Sequence, residues 1–199
     1  MSEEVVSTSS TTGLERSTTA GERSTTGRTG PRIVLVGPPG AGKTVVGQTL
    51  ADRWGVPFCD TDAVVEARVG KPIADIFIDD GEVTFRSLER DAVASALSRC
   101  EGVVSLGGGA VVAPETQDSL AGHAVVFLDV GLAAAAARVG LGATRPLLLG
   151  NVRGQLKALL DARRPFYEQL SSFTVTTDGR AVDEVADEVE RLVGAGATG

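Results

Sequence analysis

From Pro31 onward, short and almost wholly apolar β-branched runs alternate with longer stretches in which apolar residues recur every three or four positions. The apolar runs predict strands over Ile33–Val36, Pro57–Cys59, Val103–Leu106, Ala124–Leu128 and Phe173–Thr176. Such runs suit strands covered on both faces, where no polar alternation is needed. The periodic stretches between them predict helices over Thr44–Trp54, Ala63–Val69, Glu82–Arg99, Leu132–Val139, Gln155–Leu170 and Val182–Val193. In the last of these, Val182, Val185, Ala186, Val189 and Val193 share one side, and Asp183, Glu184, Asp187, Glu188 and Glu190 lie mostly elsewhere. Strands separated by helices imply βαβ crossovers, hence an α/β fold built on a parallel sheet.

Residues 1–30 break this pattern. Ser, Thr, Gly and charged residues dominate, and Glu-Arg-Ser-Thr-Thr occurs at Glu15–Thr19 and again at Glu22–Thr26. A segment of that composition buries too little apolar surface to offset its ordering entropy, so 1–30 is expected to be a disordered extension and 31–199 a single domain. Two copies of a five-residue string are too few for a repeat fold.

Charge and rare residues narrow the function classes. A net charge of −7 argues against general affinity for nucleic acid or an anionic membrane, which rests on phosphate neutralisation by Lys and Arg. Cys59 and Cys100 are the only cysteines, their spacing fits no zinc pattern, and a single histidine, His123, cannot assemble a histidine-based metal site. No apolar run approaches the ~18 residues needed to span a bilayer, and the N-terminus has no hydrophobic signal core. A cytoplasmic protein with free thiols is expected.

Gly37-Pro38-Pro39-Gly40-Ala41-Gly42-Lys43-Thr44 matches the phosphate-loop pattern G-x-x-x-x-G-K-[ST], directly after a predicted strand and before a predicted helix. The glycines let the backbone curl so that successive N–H groups point inward, and the helix N-terminus adds partial positive charge. Lys43 then reaches the β- and γ-phosphates of a nucleotide, and Thr44 offers a hydroxyl to Mg²⁺. Guanine-reading switch proteins share this cradle but use an Asn-Lys-x-Asp box, and the only asparagine here, Asn151, precedes Val152. Adenylate kinases open their loop in a similar way but usually continue with Gly-Thr after the lysine, where Thr44 follows Lys43 directly.

Asp60-Thr61-Asp62 stands at the end of the second predicted strand, the edge at which open α/β sheets bind ligands. On an extended stretch both carboxylates point the same way, one toward a metal and one toward an acceptor hydroxyl. Taken alone, Asp62 serves equally well as the N-cap of the following helix. Further along stand Phe85-Arg86-Ser87-Leu88-Glu89, Gly107-Gly108-Gly109, Thr144-Arg145-Pro146-Leu147-Leu148 and Arg163-Arg164-Pro165-Phe166-Tyr167. Any one of these arginines, seen alone, reads as a solvated helix residue.

Together with Ile73-Ala74-Asp75-Ile76-Phe77, these pieces and their order resemble shikimate kinase, over about Arg32 to Val193. The resemblance implies a P-loop kinase fold, a five-stranded parallel sheet flanked by helices, with a substrate-binding helical segment and a lid. It implies transfer of the γ-phosphate of ATP to the 3-hydroxyl of shikimate, with ATP and shikimate as small-molecule partners, one Mg²⁺ ion, and a monomeric protein. Residue by residue, it makes Asp62, Arg86, Gly108 and Arg163 the shikimate contacts, with Arg164 as the alternative to Arg163, and Asp62, Lys43 and Arg145 the catalytic group. Thr44, with Asp60 behind it through water, holds Mg²⁺ on this reading. Gly40, Ala41, Gly42, Lys43, Thr44 and Val45 form the nucleotide cradle, Arg145 closes over ATP from the lid, and Arg138 and Arg180 contact the nucleotide. Three other readings compete: another small-molecule kinase such as a gluconate-type enzyme, an inactive nucleotide-binding relative, and an ATPase module acting on a macromolecule.

Overall fold

The structure, a computed structural model, describes residues 30–139 and 152–196. Its elements run β1 (Ile33–Val36), α1 (Lys43–Trp54), β2 (Phe58–Asp60), α2 (Thr61–Val69), α3 (Ile73–Asp79), α4 (Gly81–Arg99), β3 (Val103–Ser105), α5 (Pro114–Leu120), β4 (Val125–Asp129), α6 (Leu132–Arg138), α7 (Val152–Leu170), β5 (Phe173–Thr176) and α8 (Val182–Gly196). The strands form one parallel sheet in the order β2-β3-β1-β4-β5. The predicted strands and helices are all present, with ends shifted by up to three residues. The β2 shift matters most, because Asp60 becomes the last strand residue and α2 starts at Thr61.

Alternation along each strand sorts its side chains onto the two faces. Ile33, Leu35, Val126 and Leu128 pack with Val46 and Leu50 of α1 and Val185 and Val189 of α8. Val34, Val36, Val125 and Phe127 pack instead with Val93 and Leu97 of α4 and Tyr167 of α7. Both faces are dry, which is why the strand sequences show no polar alternation. A smaller cluster of Val65, Ile76, Phe85 and Ala92 joins α2, α3 and α4 into a helical lobe beside the carboxyl edge of the sheet.

Two helices went unpredicted. α3 buries only Ile76 among its seven residues, and α5 buries only Thr116 and Leu120, so neither is long enough to show a periodic stripe. Among the described residues no helix is long and apolar enough to cross a membrane, and Cys59 and Cys100 are free thiols.

Because β1 lies between β3 and β4, the chain leaves it toward one side of the sheet and later returns on the other. That reversal opens a crevice at the carboxyl end of β1, where the phosphate loop sits.

Candidate active site

Gly37, Gly40 and Gly42 hold φ of 146°, 79° and 90°. A side chain at Gly40 would be strained at that φ and would also stand 3.0 Å from the backbone of Ala135 in α6, so the cradle is closed against the neighbouring helix. Lys43 Nζ donates to the Gly37 carbonyl at 2.8 Å and to the Pro38 carbonyl at 3.2 Å. The ammonium thus caps the loop's own carbonyls. Burial lowers its pKa to about 8, while Asp62 and Asp60 pull it back up and Arg163 pushes it further down.

The two aspartates have separate tasks. Asp60 Oδ2 accepts from the Thr44 hydroxyl at 2.8 Å, and its Oδ1 accepts from the Asp62 backbone N–H at 3.0 Å. Asp60 is therefore the N-cap of α2, and the N-cap alternative for Asp62 is corrected. Freed from capping, the Asp62 carboxylate lies over bare Gly107, where a Cβ would collide with its Oδ1 and come within 3.0 Å of Glu89 Oε1. Its pKa rises to about 6, first through burial, then through repulsion by Asp60, against the opposing pull of Lys43. The Asp60–Thr44 pair fits a magnesium site of the kind that uses one carboxylate, one hydroxyl, water and nucleotide phosphates, because no all-protein cage is needed.

The glycine run is shaped by three different neighbours. Gly107 makes room for Asp62, Gly108 lies against Pro39 of the phosphate loop, and a Cβ at Gly109 would stand 2.5 Å from Arg86 Nη1. Tyr167, buried and stacked on Phe127 at 5.1 Å, donates its hydroxyl to the Gly108 carbonyl and so ties α7 to the run.

Arg86 and Arg163 line one cleft of about 540 Å³ together with Arg90, Gly109 and Phe166. Arg86 Nη1 bonds buried Glu89 at 2.7 Å, whereas its Nε and Nη2 edge touches exposed Glu82 at 3.3 and 3.2 Å. The inner contact anchors the guanidinium, and the outer edge is the one a ligand carboxylate can take. Arg163 stands beside the Tyr167 hydroxyl and close enough to Lys43 to disfavour its charge. Arg164, about a quarter turn round α7, faces away and forks onto Asp129 at 3.0 and 2.7 Å. Geometry thus favours Arg163 over Arg164 for the cleft.

On the other side of the phosphate loop, Arg138 donates to the Gly40 carbonyl at 3.0 Å and to the Thr177 carbonyl at 2.7 Å. Arg180 bonds the Thr176 carbonyl at 3.0 Å and pairs with Glu188. Both line a pocket of about 220 Å³ with Gly42 and Val45. Val45 is 57% exposed, an apolar side chain offered to whatever fills that pocket. A larger hollow of about 880 Å³ lies at the opposite edge of the sheet, around Arg32, Trp54 and His123, away from the phosphate loop and carboxylates.

The predicted site residues therefore come together as two groups around the phosphate loop, except Arg145, which lies outside the described residues. Sequence reasoning assigned no role to Glu89 or Arg90. The available signal was their spacing, three and four residues after Arg86 on one helix, which puts them on its face.

Comparison with known proteins agrees with this geometry. The family model described as shikimate kinase matches residues 39–193. A shikimate kinase of Salinispora arenicola is 58% identical over 165 residues, covering 83% of this chain and 99% of its own. One from Thermobifida fusca is 53% identical, covering 81% of this chain and 94% of its own. Among solved structures, the shikimate kinase of Acinetobacter baumannii in complex with shikimate superimposes with a TM-score of 0.77 at 34% identity, covering 84% of this chain and 94% of that one. With the phosphate loop, the paired aspartates and the arginine cleft on one sheet edge, these matches show that the chain belongs to the shikimate kinase family.

Proposed function

We propose that this chain transfers the γ-phosphate of ATP to the 3-hydroxyl of shikimate. The observation that carries this is the placement of Asp62: it stands over Gly107, close enough to feel the charges of Lys43 in the phosphate loop and of Glu89, the residue that anchors Arg86 of the arginine cleft. Membership of the shikimate kinase family supports the same acceptor. ATP consumption measured against shikimate, quinate and gluconate tests it. Comparable turnover of gluconate would favour the gluconate-type alternative.

Phosphoryl transfer asks for in-line positioning and charge neutralisation more than covalent chemistry by the protein. Asp62 orients the acceptor hydroxyl and accepts its proton, Lys43 leaves the loop carbonyls for the phosphates, and Arg86 and Arg163 fork onto the ring carboxylate. Gly108 lets the acceptor approach the backbone. Gly40, Ala41, Gly42 and Thr44 hold the phosphates, while Val45, Arg138 and Arg180 flank the base. A magnesium ion on Thr44 and, through water, Asp60 would neutralise phosphate charge. Arg145 is proposed, from its sequence context alone, as the cation that closes over ATP.

The arginine cleft can be tested by altering both protein and ligand. Arg163→Ala is expected to weaken shikimate binding by ~2 to 4 kcal/mol, because it leaves a carboxylate poorly partnered in a partly shielded cleft, while ATP affinity hardly changes. A shikimate methyl ester should be a poor substrate for the wild type and be penalised much less in the variant. Equal penalties in both proteins would show that Arg163 does not read the carboxylate.

The N-terminal segment is proposed to stand apart from the kinase domain, since its Ser-, Thr- and Gly-rich composition offers no core and none of the matched motifs. Removing residues 1–29 is expected to leave kcat and both KM values within about twofold, roughly the size of change expected when no contact of the site is touched. A large fall in turnover would give the segment a part in catalysis.

A further inference from the structure

Thr61 separates the two aspartates, and no step of the chemistry above uses it. Its side chain is nonetheless fully buried, and its Oγ1 accepts from the Gly107 backbone N–H at 2.9 Å. The sheet explains why that bond exists. β2 and β3 pair in parallel through Phe58↔Val103, Cys59↔Val104 and Asp60↔Ser105. Beyond Ser105 the β3 segment continues extended: the Leu106 N–H turns toward β1 and bonds the Leu35 carbonyl, so the next N–H, that of Gly107, turns toward β2. There β2 has no strand left to offer, because the chain enters α2 at Thr61. The Thr61 hydroxyl takes the place of the missing main-chain carbonyl and extends the ladder by one rung.

That rung joins the two pieces of chain that must meet at the acceptor. One residue after Thr61 comes Asp62, whose carboxylate lies against Gly107, and one and two residues after Gly107 come Gly108 and Gly109, which border the phosphate loop and Arg86. We propose that Thr61 is a positioning residue for phosphoryl transfer: its hydroxyl sets the distance between the Asp62 carboxylate and the glycine run on which the acceptor lies. The proposal rests on Asp62 as the group that receives the hydroxyl proton.

Thr61→Val keeps the branched shape and removes the acceptor, so the Gly107 N–H loses its partner and the two segments can drift apart. A misplacement on the order of 1 Å in such a geometry costs roughly 100-fold in rate. The expected result for Thr61→Val is a fall in kcat of ~10- to 100-fold, with KM for ATP within about twofold, and recovery of most of the loss in Thr61→Ser, which restores the hydroxyl. A Thr61→Val enzyme with wild-type kcat overturns the proposal, as does a loss that Thr61→Ser shares in full or one that raises KM for ATP as much as it lowers kcat. Asp62→Asn, assayed in parallel, separates the two assignments. If it is inactive while Thr61→Val is normal, only the role of Thr61 fails; if it is active, the assignment of Asp62 fails and that of Thr61 falls with it. Should Thr61→Val not fold, amide exchange at Gly107 in the wild-type protein decides: protection supports the rung, and exchange at the rate of an open loop overturns it.

Discussion

Asp62→Asn is expected to lose ~10²- to 10⁴-fold in turnover, the range ascribed to a positioned acid or base, and to be more stable than the wild type at pH 7. The two effects have one cause. The carboxylate is partly buried, faces Asp60, and has its pKa raised from 3.8 to about 6. A carboxyl whose folded pKa is raised contributes stability only when protonated, so the contribution is present below about 3.8 and lost as pH rises through about 6. At pH 7 the charged group therefore works against the fold. The full shift corresponds to ~3 kcal/mol, and partial solvent screening reduces the expected gain in the amide variant to ~1 to 2 kcal/mol. In a domain of this size that raises Tm by about 3 to 6 °C at pH 7. The advantage should shrink as pH falls from about 7 to 4, where the wild-type carboxyl becomes neutral. The same titration gives kcat/KM for shikimate in the wild type an acid limb. Thermal melts of both proteins across that range check the sign; a variant less stable than wild type at pH 7 would mean that Asp62 is not held at a cost. Wild-type-like turnover would remove it from the chemistry.

The prediction depends on the distinction between Asp60 and Asp62, which the sequence left open. Both stand at the end of an apolar run, and from the residues alone Asp62 reads equally well as the cap of the helix that follows, a place that Asp60 takes. What decides is a one-residue displacement of β2, below the resolution of any periodicity argument for a three-residue strand. The apolar runs at β1, β4 and β5 were legible because both faces of the sheet are covered. α4 and α8 were legible because each is long enough to repeat its buried stripe. α3, with one buried residue, was not. The phosphate loop was legible in full, since its chemistry lies in the backbone and its glycines are local. The acceptor cleft was legible only as separate arginines. The residue types alone do not distinguish Arg163 from Arg164, and only the spacing to Pro165 and Tyr167 in the family pattern points to Arg163; the fork between Arg164 and Asp129 at the end of β4 separates them in space, and that contact spans 35 positions. Thr61, Glu89 and Arg90 had no visible role for the same reason, as their partners are set by sheet register and by how α4 and α7 approach the glycine run.

Lys43→Ala should reduce kcat by ~10²- to 10³-fold, the loss seen when a single preorganised charge stabiliser is removed, and it should remain folded by circular dichroism. The fold is expected to survive because the ammonium only bridges the Gly37 and Pro38 carbonyls of its own loop and takes no part in the packed faces of the sheet. The ammonium also gives a thermodynamic signature independent of turnover. Burial holds its pKa at about 8, against the raising influence of Asp62 and Asp60. At pH 8 about half the molecules therefore carry a neutral lysine. Phosphates arriving at contact distance favour the charged form and push the pKa well above 8. ATP binding at pH 8 is then expected to take up about half a proton per site, falling to about a tenth at pH 7, where the lysine is already charged. Calorimetric titrations in two buffers of different ionisation enthalpy measure that uptake directly. At pH 8, well above the titration of the Asp62 carboxyl, it should vanish in Lys43→Ala, whose binding heat there becomes independent of buffer. An uptake that persists in the variant would assign the proton to another group, and no uptake in the wild type would mean that the lysine is fully charged before the nucleotide arrives.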